Sequence, residues 1–561
     1  MSGKSAAQNL PIRIVGAGVG GLAAAISLAS SGYSVQILEQ HESVGGKMRA
    51  FDVDGVQVPC GPTVFTMRWV FETLFAAAGK SLDQALSLRP LSVLARHAWS
   101  EQERLDLLAD PRANIDAIAA FSGPKQARAF ERFCAEAKLI HDQLIDPFIR
   151  SQRPDLWSMM HRLGAKGLLA LTGLGPFSSL WSRLGHHFPD PRLHQLFGRY
   201  ATYCGTSPWQ APATLVLIAH VEMQGVWAIH GGMPALAAAL ADCARHLGVE
   251  IRCNAAVKQI HTVQNHVQAI ELTNGETLAT RSLIFNGDVR ALGHALHGES
   301  VAASHRKAAE APMSLSALTW CLKAKATGFD LSQHNVFFQS DYQSEFNDIF
   351  KSNRLPRQPT VYLCAPDRLN TESAQRMDRP AEPMLLLVNA PALRLSADDA
   401  ATAAGRKALQ NPQAHQQHPA QSGEITAQEI SVCQQQMLHM LEQRGLKLAF
   451  EPNQCQITTP TDFATHFQGS GGALYGPAAN GWMATFARAQ ARSPMKGLYL
   501  AGGSVHPGPG VPMAAMSGVL AAEALMADHA LTRQFHPVAT SGGTSMRSAT
   551  ISDTGSRSSL S

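Results

Sequence analysis

The sequence predicts an α/β protein: a βαβ nucleotide-binding unit at the amino end, an inserted helical region, and a mixed α+β region. Three observations predict it. A β-branched run, Ile12 to Val15, leads at once into Gly16-x-Gly18-x-x-Gly21. A second glycine-rich turn lies near the other end of the chain, within "GLYLAGGSVHPGPGVPMAAMSGVLAAEAL" at 497–525. Between them apolar residues recur first at helical spacing and then in short strand-like runs.

The first unit can be justified element by element. Ile12 to Val15 is short and apolar, as a buried strand is. Gly16 allows a tight turn, Gly18 lets the backbone approach a pyrophosphate, and Gly21 lets the helix pack closely on the strand. Leu22, Ala25, Ile26 and Ala29 recur at helical spacing, and Gly32 ends the helix. Val35 to Leu38 makes a second strand. Glu39, 18 residues beyond Gly21, stands where an acid accepts hydrogen bonds from an adenosine ribose. A secretory signal peptide with Lys4 as its basic region is the competing reading. Arg13 and the interrupting glycines argue against it.

Further along, "VFETLFAAAG" at 70–79 puts Val70, Phe71, Leu74, Phe75 and Ala78 on one helical face, with Gly79 as cap. Residues 80–225 read as mostly helical and rich in Leu, Phe and Trp. At 231–251 a helix follows, with Pro234 near its first position and Gly248 just after its end. A strand through Val257 comes next, then a hairpin centred on Asn274-Gly275. These shifts divide the chain into a first nucleotide-binding segment (10–80), a helical membrane or substrate region (81–225), and a second nucleotide-binding segment (226–300). A substrate domain (301–392 and 425–480), a flexible insertion (393–424), a C-terminal nucleotide-binding segment (481–532) and a disordered tail (533–561) complete it. The insertion is Ala/Gln/Asp-rich and the tail Ser/Thr/Gly-rich.

Composition narrows the class. The chain has 561 residues, 45 % of them apolar, so it can bury a large core. A net charge of +4 gives no reason to expect a nucleic-acid partner. Nine cysteines without a CxxC pair point to a reduced, cytoplasmic chain. No metal-ligand spacing is visible, so no metal is expected. No apolar stretch reaches the length of a spanning helix without interruption. The nearest in this reading is Gly164 to Trp181, broken by Lys166 and Pro176 and preceded by Arg150, Arg153 and Arg162. It suits a peripheral contact with a lipid surface.

The second glycine turn also follows a strand (Leu498 to Ala501) and opens a helix, with backbone amides near Gly510 to Met513 free for an electron-accepting group. Two such turns at opposite ends of the chain suggest one extended dinucleotide, FAD rather than NAD.

The Gly16–Gly21 fingerprint, Glu39 and Gly45-Gly46-Lys47 together resemble the flavin amine-oxidase and phytoene-desaturase superfamily. More narrowly, "GPTVFTMRWVFETLF" (61–75), "HNVFFQSDYQSEF" (334–346) and "GGSVHPGPGVPMAAMSG" (502–518) resemble bacterial carotenoid desaturases, nearest the 1-hydroxycarotenoid 3,4-desaturases. The resemblance spans about residues 10–530. It implies a Rossmann-like FAD-binding domain and insertion of a C-3,4 double bond into an acyclic 1-hydroxycarotenoid; the choice of electron acceptor, oxygen or a quinone, is left open. It implies that Gly16, Gly18 and Gly21 hold the pyrophosphate and Glu39 the ribose. Gly45, Gly46 and Lys47 would line the phosphate and ribityl side. Val257 would meet adenine through its backbone, Gly502 and Gly503 would approach the pyrophosphate and ribityl chain, and Val511 and Met513 would flank the flavin ring. The chain departs from its relatives at Pro59-Cys60, where Asp-Ala is common.

No acid or base stands out as catalytic, and allylic C–H bonds beside a polyene are already activated. Asp142, Asp146 and Asp155 read as solvated acids, His506 as a turn residue, and Trp209 and Trp227 as core. Arg199, Tyr203 and His230 are weaker cavity candidates. A phytoene desaturase, a flavin isomerase or oxidase, an amine oxidase and a non-enzymatic carotenoid- or flavin-binding protein are the competing classes.

Overall fold

The computed structural model describes residues 10–152, 178–368, 380–393 and 424–535, apart from 482 and 485. The expected insertion and tail lie almost wholly outside these residues, as do Asp155 and the Gly164–Trp181 segment up to 177.

Five short strands form one parallel sheet, in the order Leu498–Leu500, Leu283–Phe285, Ile12–Val15, Val35–Leu38, Glu250–Arg252. They come from three separated stretches of chain. All but the last are almost fully buried, as parallel strands covered by helices are. The first helix, Val19–Ser30, and the C-terminal helix, Val511–Phe535, pack against each other over this sheet. Their crossing needs glycine on both sides. A Cβ on Gly518 would sit 2.0 Å from the carbonyl oxygen of Gly20, and one on Gly20 would sit 2.9 Å from that of Ala514.

A second sheet of eight strands runs Lys447–Ala449, Ser316–Thr327, Glu382–Ala390, Val361–Cys364, His334–Phe337, Val93–Ala98, Arg104–Leu108, with Cys455–Thr458 also paired to Ser316–Thr327. Alternation gives it two faces. Leu318, Trp320, Leu386 and Val388 pack under the helix Ala427–Glu442, through Cys433, Met437 and Met440. Thr319, Leu387, Tyr362 and Val336 point the other way and lie in one register row across four strands.

The helix Arg68–Ala77 buries Val70, Phe71, Leu74 and Phe75, and Gly79 follows it with φ 68°. The hairpin His266–Leu272 to Thr277–Ala279 turns at Gly275, φ 87°. Pro234 sits at the third position of its helix, because Gly231 is the cap, and Gly248 follows the helix end in the left-handed region. The region read as mostly helical, 81–225, contributes three strands, Leu88–Pro90, Val93–Ala98 and Arg104–Leu108. Two of them extend the eight-stranded sheet. Among the described residues the longest apolar helix is Val511–Leu531, mean hydropathy 1.3; most of it is buried against the sheet core.

Candidate active site

The parallel strands end together at a switch point. The chain leaves the central strand Ile12–Val15 toward Val35–Leu38 on one side and meets Leu283–Phe285 on the other, so a crevice opens at their carboxyl ends. The turns there are tied by backbone bonds. Gly16 N–H donates to Leu38 O at 2.8 Å, Asn286 N–H to Val15 O at 2.9 Å, and Gly45 N–H to Ala17 O at 2.9 Å.

Over this crevice lies a cavity of about 910 Å³, near the upper end of the range for pockets that enclose a small molecule. Gly16, Gly18, Glu39, Gly45, Gly46, Lys47, Val257, Gly502, Gly503, Val511 and Met513 all line it. Eleven of the twelve residues expected at a nucleotide therefore meet at one surface. Gly21 does not. Its Cβ position lies 2.1 Å from the carbonyl oxygen of Gly16, so its hydrogen side packs the helix closely on the turn.

The geometry suits a dinucleotide. Gly18 caps the first helix without a side-chain hydrogen bond, so the first-turn amides are free for an anion. A Cβ on Gly46 would stand 3.3 Å from the Cα of Gly18, closing the cradle. Glu39 is buried, and its two oxygens accept from Ala17 N–H at 2.7 Å and His41 N–H at 3.0 Å. Each oxygen keeps a lone pair for a ribose hydroxyl. The Lys47 ammonium donates to Leu474 O at 2.6 Å, and burial lowers its pKa against the attraction of Asp288. Burial raises the Asp288 carboxyl, with Arg290, Lys47 and Arg488 pulling it back. The residues present fit FAD.

Three organisers carried no sequence signal that was used. Asn286 donates to Gly16 O at 3.2 Å and crowds the Cβ positions of Gly16, Gly18, Gly20 and Gly502. Its place directly after a buried strand was the available clue. Asp288, two residues on, caps the short helix Val289–Gly293. Arg488 reaches Gly503 O, Tyr475 O and Pro477 O, joining the C-terminal turn to the loop before it.

The cavity continues beyond the cradle. Its walls are Leu144, Phe148, Ile149, Leu215, Ile218 and Val221, and its floor is the row Thr319, Leu387, Tyr362 and Val336. Arg199 and Tyr203 line this part, as expected of cavity candidates, together with Glu222. His230 is exposed and lies outside it. Trp209 packs with Trp181, Tyr342 and Phe346, and Trp227 with Phe65; neither lines the cavity. His506 is buried with its ring edge-on to Phe148, its backbone N–H on Ala489 O, and burial lowers its pKa to about 4. Asp142 and Asp146 are solvated and paired with Lys138 and Arg150. One group among the described residues has metal-ligand spacing, His141, Asp142 and His220, away from the cavity.

The family model for flavin containing amine oxidoreductases matches residues 19–314. A hydroxyneurosporene desaturase of Rubrivivax gelatinosus is 48 % identical, with 96 % of this chain and 97 % of that one covered. One from Rhodobacter capsulatus is 41 % identical, covering 92 % and 97 %. Among solved structures, an oxidoreductase from Methanosarcina mazei shares the fold at TM-score 0.54 and 13 % identity, covering 92 % of this chain and 99 % of that one. The chain belongs to the flavin-containing amine oxidoreductases, in the branch of the hydroxyneurosporene desaturases. It is an oxidoreductase with FAD as its cofactor.

Proposed function

We infer that this chain is an FAD-dependent carotenoid desaturase that introduces a C-3,4 double bond into an acyclic 1-hydroxycarotenoid. The observation that carries this is continuity. One cavity joins a glycine cradle at the ends of a parallel sheet to an apolar slot on the floor of a second sheet. FAD bound in the cradle supplies the acceptor for the two hydrogens removed. Gly16, Gly18 and the first helix's free amides would hold the pyrophosphate, Glu39 the ribose, and Val257 the adenine. Gly45, Gly46, Lys47, Gly502 and Gly503 would line the phosphates and ribityl chain, with Val511 and Met513 at the ring edge. The apolar walls would align the polyene and exclude water.

A polyene is almost insoluble in water, so the enzyme would collect it from a membrane surface through 164–181, most of which lies outside the described residues. Oxygen or a quinone would be the terminal acceptor.

One experiment tests the reading. The FAD-loaded protein is mixed with anionic liposomes carrying 1-hydroxyneurosporene and floated on a gradient. The expected product has lost two hydrogens and absorbs further to the red. Unchanged polyene after reoxidation of the flavin would refute the activity. Flotation should weaken when Leu168, Leu169 and Leu171 become Ser while FAD content is retained; unchanged flotation would refute the membrane contact alone.

A further inference from the structure

The substrate half of the cavity leaves one polar group without a task. Arg199 and Tyr203 lie on the 3₁₀ turn Arg199–Cys204, and Glu222 on the helix Leu217–Met223. Arg199 Nη2 donates to Tyr203 Oη at 2.8 Å, and Tyr203 Oη donates to Glu222 Oε1 at 3.0 Å. Tyr200 Oη donates to Glu222 Oε2 at 2.9 Å. Arg199 Nε is buried with no acceptor, and among the described residues the guanidinium makes no ion pair. All of this stands in a wall otherwise built of Leu215, Ile218 and Val221. A charge buried beside hydrocarbon is costly unless something completes its hydrogen bonds.

The chemistry of the cluster selects its ligand. A carboxylate would be attracted by Arg199 but repelled by Glu222, and an ammonium the reverse. A bare hydrocarbon end would complete neither. A neutral alcohol both accepts and donates, so it satisfies the two at once. Location agrees. The turn that carries Arg199 and Tyr203 ends at Gly205, where a Cβ would stand 2.7 Å from the Tyr475 ring, and the Tyr475 carbonyl is held by Arg488, which also holds Gly503 in the C-terminal glycine turn. The cluster thus adjoins the cradle. In a 1-hydroxylated chain the oxygen is carried two carbons from C-3, so its anchor must lie near the reacting bond.

We propose that Arg199 and Glu222 form the subsite for the tertiary hydroxyl of the polyene, Arg199 donating to its oxygen and Glu222 accepting its hydrogen bond, with Tyr203 as the positioning residue between them. This rests on the substrate reading above and adds the residues that make the hydroxyl a requirement.

The test compares 1-hydroxyneurosporene with neurosporene, in binding to the oxidised FAD-loaded protein and in turnover. The wild-type protein should prefer the hydroxylated polyene roughly 10- to 100-fold, the range of a hydrogen bond to a charged group. Arg199→Met and Glu222→Gln should each erase most of that preference by weakening 1-hydroxyneurosporene, leaving neurosporene within about twofold. Tyr203→Phe, which keeps the ring, should lower the preference less, and it serves if Arg199→Met does not fold. No preference in the wild type, or an equal loss for both polyenes in the variants with FAD content intact, would overturn the subsite. Desaturation with a preference indifferent to Arg199 would sink the subsite and leave the desaturase standing. A preference dependent on Arg199 in binding, with no hydrogen lost, would do the opposite.

Discussion

The two ends of the cavity are built from different materials. The nucleotide end is made of backbone: Gly16, Gly18, Gly45, Gly46, Gly502 and Gly503 stand beside the free first-turn amides of the helix Val19–Ser30. The substrate end is made of side chains gathered from distant elements: Arg199 from a 3₁₀ turn, Glu222 from a helix, and Thr319, Tyr362 and Leu387 from three strands of one sheet. A backbone site has little freedom, because its shape is set by φ, ψ and the absence of a Cβ. A side-chain site can exchange one group for another of similar volume. The first should fail abruptly on substitution and the second by degrees.

The sharpest break should come at the fingerprint. In Gly21→Val the added Cβ would stand 2.1 Å from a backbone oxygen that cannot move aside, and the protein should not fold. Gly18 is different. Its backbone is at φ −71°, ψ 173°, open to any residue, and a Cβ there meets only Asn286 Nδ2 at 3.1 Å. Gly18→Val should therefore yield folded but colourless protein. Soluble yield, near-UV circular dichroism and flavin absorbance read the pair. Yellow Gly18→Val protein, or well-folded Gly21→Val protein, would break the contrast between cradle and packing glycine.

This contrast also explains what was legible in the sequence. Turns that demand glycine are written locally, so both nucleotide turns and Glu39 could be placed by spacing. Gly21 was read both as a packing glycine and as a pyrophosphate contact, because a motif does not say which of its glycines faces the ligand. The strands Val93–Ala98 and Arg104–Leu108 were missed in a stretch read as helical. His97 and Arg96 interrupt the apolar pattern of the first, and only tertiary contacts explain them: His97 is wholly buried, and Arg96 pairs with Asp106 and Asp330. Asn286 and Arg488 act by reaching across from elements far apart in the chain, which periodicity cannot report.

Acid should act on both ends at once. His97 and His334, on the substrate sheet, are lowered to about 3 by burial, reinforced by the Arg199 charge. His297 and His506, nearer the cradle, are lowered to about 4, again by burial. A histidine whose folded pKa lies below its unfolded value of ~6.5 takes up its proton more readily when unfolded. Its stabilising contribution is therefore present above that value and is lost as pH falls toward 3–4. Glu345 works in the other direction. Burial raises it to about 7, so its contribution is lost as pH rises from ~4.5 through 7. The lowered histidines, with His294 also at about 4, outnumber the raised acids Glu345, Glu222 and Asp288, and each group is worth up to ~1.4 kcal/mol per pH unit where it titrates. The urea midpoint should fall steeply from pH 6.5 to 4.5. A midpoint flat over that interval would mean these histidines stay accessible to protons in the fold.

The mildest effect should come from a single hydroxyl on the substrate floor. Tyr362 Oη lies 2.6 Å from Thr63 Oγ1 and 2.7 Å from His334 Nδ1, linking the Gly61–Thr63 loop to the eight-stranded sheet. Burial holds this phenol far above its usual range, so it stays neutral at any working pH. Tyr362→Phe keeps the ring and the volume but deprives both partners of a hydrogen bond. Thr63 lines the cavity, so water or another acceptor can serve its hydroxyl there, but His334 is buried and has no partner at Nε2 either. The cost should be about 1–3 kcal/mol in urea unfolding, the range for stranding one buried polar group. FAD content should stay at the wild-type level, because no cradle glycine depends on this bond. Loss of flavin from Tyr362→Phe would show that the two ends are one mechanical unit, and that the backbone-built cradle is held open by the side chains beyond it.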